Sequence, residues 1–152
     1  MIFNSERFGR IEYSEQDVVR FPQGLVGFPD MTCFFIHRDE RVAPLVWLHS
    51  QDDPNLAFLL ADPFEFIPNY SLKLHLPKSV RREMGSEEHL RVKCIVTIHP
   101  EFSKSTLNLL GPLIINAEEQ NGWQVILDDD TLSTRHPLFP ASVSREEGVR
   151  AI

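Results

Sequence analysis

Apolar and polar positions alternate along this chain in short runs of period two, the pattern of half-buried strands. The clearest run is Leu90 to His99, where Val92, Cys94, Val96 and Ile98 oppose Arg91, Lys93, Thr97 and His99, predicting one buried face. Ser71 to Leu76 repeats the pattern, with Leu72, Leu74 and Leu76 on one side and Ser71, Lys73 and His75 on the other. Met1–Phe3 and Arg10–Tyr13 flank Gly9 as two short strands around a turn, and Val18–Phe21, Thr32–His37 and Leu45–Leu48 have strand composition. Leu56–Ala61 is apolar on both faces, as a central strand would be. Only Pro77–Met84 predicts a helix, with proline in the first turn and Gly85 to end it. About eight to ten short strands, turn signals about every ten residues and one short helix make an all-β domain, either a sandwich or a closed barrel.

Two stretches carry more information than the rest. Ser105–Leu127 holds the apolar runs Leu107–Ala117 and Trp123–Leu127 around a polar segment ending in Asn121–Gly122, which predicts an antiparallel hairpin turning at Asn-Gly. Its first arm is interrupted at Gly111–Pro112, because proline donates no N–H to a ladder. In the arm after it, Leu113, Ile115 and Ala117 share one face and Ile114 and Asn116 the other, so Asn116 needs hydrogen bonds or an exposed strand end. The second stretch, Phe21–Asp30, has two prolines and two glycines and cannot be a helix interior. Its Phe21, Leu25, Val26 and Phe28 predict a loop folded back onto the core as a plug.

A length of 152 residues fits one domain burying roughly two thirds of its unfolded surface. Neither a repeat nor a linker divides it, so residues 1–143 are assigned to one β domain and polar residues 144–152 to a frayed tail. A formal net charge of −7 argues against direct nucleic-acid binding, which relies on Lys and Arg, and suits a basic protein partner. Cys33 and Cys94 lie in apolar runs and read as reduced, buried thiols. The N-terminus shows no secretory signal, and no apolar run approaches the ~20 residues of a membrane span, so the expected location is the cytoplasm. The histidines at 37, 49, 75, 89, 99 and 136 are scattered without zinc spacing, and Asp128–Asp130 lacks the pattern of a calcium loop. With no nucleophile elbow and no phosphate-cradling glycine loop, the chain is expected to be a non-enzyme without metal or cofactor.

Thr106–Leu107–Asn108–Leu109–Leu110–Gly111–Pro112–Leu113–Ile114–Ile115–Asn116, followed by Gln124–Val125–Ile126–Leu127, resembles the signature of the FliW flagellar assembly factor family. The likeness extends to Phe21–Phe28, Asp62–Pro63–Phe64, Phe66, Pro68–Asn69–Tyr70 and Thr134–Leu138. Gly111 departs from the family's usual alanine and Leu107 from a small residue. The resemblance implies a small closed or nearly closed β-barrel without catalytic activity. It implies two partners, the RNA-binding translational regulator CsrA and flagellin, which compete for the protein and so couple flagellin synthesis to assembly. Candidate partner contacts are Phe64, Phe66 and Tyr70 in the proline-punctuated aromatic loop, the neighbouring charges Asp62 and Glu65, and Phe102, Thr106, Asn108 and Leu109 leading into the hairpin. Two readings compete with this one. A subunit of another cytoplasmic assembly would expose a large apolar patch. An enzyme with an unrecognised site would hold a pocket with convergent polar groups.

Overall fold

The computed structural model describes residues 1–68, 70 and 82–139. Eleven strands lie among them: β1 (Ile2–Ser5), β2 (Gly9–Glu12), β3 (Val18–Arg20), β4 (Cys33–His37), β5 (Val46–Ser50), β6 (Ala57–Ala61), β7 (Leu90–Thr97), β8 (Thr106–Leu107), β9 (Leu113–Asn116), β10 (Asn121–Gln124) and β11 (His136–Pro137). A short helix, α1 (Pro63–Phe66), follows β6. Seven strands close into a barrel, because the ladder β7–β6–β5–β4–β3–β10–β9 returns to β7. Every junction is antiparallel except β3–β10, a parallel contact held at Asn121 and Arg20. Closure decides between the two architectures the alternation allowed, and it leaves few open strand edges.

Strands β8 and β9 are one strand interrupted. Both pair with β7, β8 through Val96↔Leu107 and Thr97↔Thr106, and β9 from Leu90↔Asn116 to Lys93↔Leu113. Residues 108–112 bulge out between them, as Pro112 requires. Asn108 shapes the bulge: its Oδ1 accepts from the Leu110 and Gly111 amides at 3.1 and 2.9 Å, while its own N–H donates to the Ile95 carbonyl at 3.0 Å.

Alternation sorts the side chains into an inner and an outer core. Inside the barrel lie Val19, Phe34, Leu48, Leu60, Leu113 and Ile115, with Phe21 and Leu25 from the loop after β3. The loop is therefore the predicted plug: Phe21 is fully buried, and the Leu25–Phe28 turn is closed by reciprocal backbone hydrogen bonds of 3.1 and 2.7 Å. Val26 at its tip is instead largely exposed. Outside the barrel, Leu45, Trp47, Leu59, Ala61, Cys94, Val96, Leu107, Leu109 and Leu138 form a second core. On a further outer face Met84, Ile114 and Trp123 pack together.

The hairpin β9–β10 forms, but its turn lies earlier than Asn-Gly. Asn121 and Gly122 are in β10, and the positive φ falls on Gln120, at 60°. Gln120 is held there by its Nε2 donating to the Val18 carbonyl at 2.9 Å. Gly122 serves close packing, since a Cβ there would meet the Phe21 ring at 2.8 Å. Asn116 is fully buried and satisfied: Nδ2 donates to the Met84 carbonyl at 2.6 Å and Oδ1 accepts from the Glu118 and Glu119 amides. Asn116→Ala leaves the buried Met84 carbonyl and the part-buried Glu118 and Glu119 amides without these partners and should cost about 2–3 kcal/mol. The check is a lower urea midpoint at unchanged slope.

The remaining expectations have different outcomes. The single predicted helix was placed at Pro77–Met84, of which residues 82–84 are described; these are helical, and Gly85 follows at φ 82°. A second helix, α1, occupies what the sequence presented as a loop, because Asp62 caps it and Pro63 fits its first turn. Ile98 is 44 % exposed, not on the buried face, because β7 ends at Thr97 and the regular alternation ends with it. The strand expected at Ser71–Leu76 and the tail 144–152 lie outside the described residues.

Candidate functional site

The outer core is capped by an aromatic surface built from α1 and the segment after β7. Asp62 Oδ1 accepts from the Phe64 amide at 2.9 Å, and this cap orients the helix so that Pro63 is buried while Phe64 and Glu65 face solvent. Phe64 is 54 % exposed and meets Tyr70 edge-on, with ring centroids 5.0 Å apart. Phe66 and Tyr70 are half-buried against the outer core. Phe66 touches Phe139 at 6.4 Å between centroids, and Phe139 in turn touches Phe102 at 5.7 Å. Phe102 is 41 % exposed on the short turn Phe102–Lys104, close in sequence to the exposed Ile98. The edge-on ring contacts link these side chains into one apolar surface with the acidic groups of Asp62 and Glu65 beside it.

Of the nine candidate contact residues, Asp62, Phe64, Glu65, Phe66, Tyr70 and Phe102 thus belong to one surface. Thr106 is half-buried in β8, paired with Thr97 and Pro137. Asn108 shapes the bulge, and Leu109 is buried in the outer core, so neither Leu109 nor the bonded amide of Asn108 offers a free surface group. Phe139, which joins the two halves of the surface, reads in the sequence as part of a short apolar anchor and is not among the candidate contacts. The aromatic residue directly after Leu138, whose side chain is anchored in the core, was the available signal. The departures from the family pattern are structural too: Leu107 is fully buried, and at Gly111 a Cβ would crowd the amide ends of Asn108 and Gln124 at 3.2 and 3.1 Å.

Two titratable groups under this surface are held in their neutral forms. Burial pushes the Cys94 thiol up to about 12, with Asp62 adding to it, so the sulfur stays protonated at neutral pH. Burial likewise raises the Tyr70 phenol to about 12, with Cys94 and Asp62 contributing. Among the described residues, no group of three or more His, Cys, Asp or Glu side chains is gathered as a metal site. None of their helices is long and apolar enough to cross a membrane.

Comparison with known proteins agrees with this architecture. The family model described as FliW protein matches residues 2–138. A flagellar assembly factor FliW of Thermoanaerobacter pseudethanolicus is 38% identical over 140 residues, covering 91% of this chain and 93% of the relative. That of Geotalea uraniireducens is 30% identical over 152 residues, covering 100% of this chain and 93% of the relative. A solved structure described as the crystal structure of the flagellar assembly factor FliW superposes with a TM-score of 0.83 at 32% identity, over 94% of this chain and all of that one.

Proposed function

This chain belongs to the FliW family of flagellar assembly factors, and on that premise we propose that it is a non-catalytic binding protein exchanged between two partners. The partners are a CsrA-type RNA-binding regulator, which it would hold away from flagellin messenger RNA, and flagellin, which would displace that regulator. The observation supporting this reading is the contiguous aromatic surface of Phe64, Tyr70, Phe66, Phe139 and Phe102, bordered by Asp62 and Glu65. Exposed aromatics in fixed positions are effective interface anchors. An acidic border and a net charge of −7 complement the basic surface that any RNA-binding partner must carry. Exchange then requires mutually exclusive complexes, because a partner that bound equally well to the free and occupied protein would displace nothing.

The structure dictates how the surface should be tested. Asp62 caps α1, so Asp62→Asn removes charge while keeping the cap, whereas lysine there would remove both. Asp62→Asn with Glu65→Lys should slow association with the CsrA-type regulator at low salt, and the difference from wild type should shrink as salt rises. Phe64→Ser should weaken the complex about tenfold or more at an unchanged urea midpoint. Pull-down of the regulator with increasing flagellin should show replacement of one by the other. A stable ternary complex, or equal affinity of these variants and wild type, would reject the reading.

A further inference from the structure

The two ends of the barrel differ. The loop after β3 stoppers one end with Phe21 and Leu25, whereas the other opens into a cavity of about 460 Å³. That end holds the start of β3, β5 and β7 and the close of β4 and β9, and its lining includes Val19, Ile36, Val46 and Ile115. These are inward positions continuous with the inner core, so the floor is apolar. The size falls within the roughly 300–1,000 Å³ of small-molecule sites.

The charges at the rim are asymmetric. On β7 the positions facing inward are Arg91, Lys93 and Ile95, and the register sets Arg91 beside Ile115 and Lys93 beside Leu113 of β9. Lys93 is half-buried in the lining and makes no hydrogen bond or ion pair among the described residues. Arg91 spends Nη1 on the Glu88 and Leu90 carbonyls at 3.0 Å, and its other N–H groups make no hydrogen bond among the described residues. Other lining charges are already used: Arg38 pairs with Asp17 at 3.0 Å, and Asp39 is held by Arg41 at 2.7 Å. Glu40 is exposed at the edge. Among the described residues, Lys93 and the remaining N–H groups of Arg91 thus lie over an apolar floor without a carboxylate bonded to them.

We propose that this open end binds a medium-chain monocarboxylate, its carboxylate on Lys93 and Arg91 and its alkyl chain inside the barrel. Each half of the ligand answers one feature. The carboxylate pairs with a half-buried lysine that has no partner among the described residues. The alkyl chain covers Val19, Ile36, Val46 and Ile115, whose packing ends at the cavity. A purely cationic or zwitterionic ligand would meet the wrong charge at the rim, and a plain hydrocarbon would leave Lys93 unanswered. This site is separate from the aromatic surface and does not depend on the proposed partners.

The test is calorimetric titration of the full chain with decanoate below its micelle concentration, beside decanol and decyltrimethylammonium. We expect one saturable site for decanoate, affinity reduced about tenfold by Lys93→Gln, and no comparable binding of the other two. Arg91→Gln, at an exposed position that leaves the core untouched, should weaken binding in the same direction and carries the test if Lys93→Gln does not fold. Methyl resonances of Val19, Ile36, Val46 and Ile115 should shift on binding. Absence of saturable heat, equal binding of decanol, insensitivity to both variants, or shifts confined to the aromatic surface would each overturn the proposal.

Discussion

Gly24→Ala should cost about 3–5 kcal/mol of stability, while Gly27→Ala, three residues later in the same loop, should cost only about 1–2 kcal/mol. Both glycines have positive φ, 69° and 85°, so both substitutions bring left-handed strain. They differ in the space available. A Cβ at Gly24 would lie 2.5 Å from the carbonyl oxygens of both Phe28 and Pro29, whereas at Gly27 it meets nothing within 4 Å. Those carbonyls belong to backbone that is itself fixed: the Phe28 oxygen accepts from the Leu25 and Met31 amides at 3.1 and 3.2 Å. Relief would mean opening the Leu25–Phe28 turn and withdrawing Leu25 from the inner core. Urea midpoints of the two variants measure the contrast. Equal losses would show that the plug yields easily and that the loop does not hold the closed end of the barrel.

That plug was readable before the structure was known, and the reason is chemical. Two prolines and two glycines exclude regular structure, and four large apolar side chains in the same ten residues exclude a solvated loop. The strands of the barrel were legible for a similar reason, since alternation such as that of Val92, Cys94 and Val96 survives any choice of partner strand. What depended on partners was not. Asn121–Gly122 looked like a turn because both residues tolerate positive φ, yet Gly122 is needed for a neighbour over a hundred residues away in sequence, the ring of Phe21. Helix α1 was obscured by its own punctuation, for Asp62–Pro63 marks a helix start as well as a loop. Six of the nine candidate contact residues lie on one surface because aromatics beside prolines share one local segment with Tyr70, or reach it through Phe139. The burial of Leu109 in the outer core was not legible, because a two-residue strand followed by a bulge gives no period from which to read its direction. The open end of the barrel was invisible for a deeper reason: five strands supply its lining, and only register brings Lys93 and Ile36 to the same rim.

Register also explains the second large expectation, a loss of about 3 kcal/mol as pH falls from above 6.5 to about 4. His37 and His49 lie diagonally on β4 and β5, His49 directly opposite Phe35, and His37 Nδ1 sits 3.2 Å from His49 Nε2. The β1–β2 hairpin seals the pair. Phe3 and Phe8 pack on His49, Phe35 stacks on it, and Arg7 lies over the Phe8 and Trp47 rings. His49 is 1 % exposed. Burial first, then His37 and Arg7, lower its pKa to about 4, and burial also lowers that of His37 against the pull of Asp39. Between 6.5 and about 4 the unfolded chain therefore binds a proton at His49 that the folded chain refuses, so stability is full above this window and declines as pH falls through it. Asp39, held down to about 2 by Arg41, titrates below the window and does not mask the effect. His49→Gln keeps a donor for His37 and removes the titration, so its urea stability should fall by about 3 kcal/mol less than wild type between pH 7 and pH 4. Hydrogen exchange should place the acid-sensitive opening at the β1–β2 hairpin, because lifting Phe3 and Phe8 is the shortest route for water to reach the imidazole. Parallel pH profiles for the two proteins would mean that His49 is protonated without the hairpin moving.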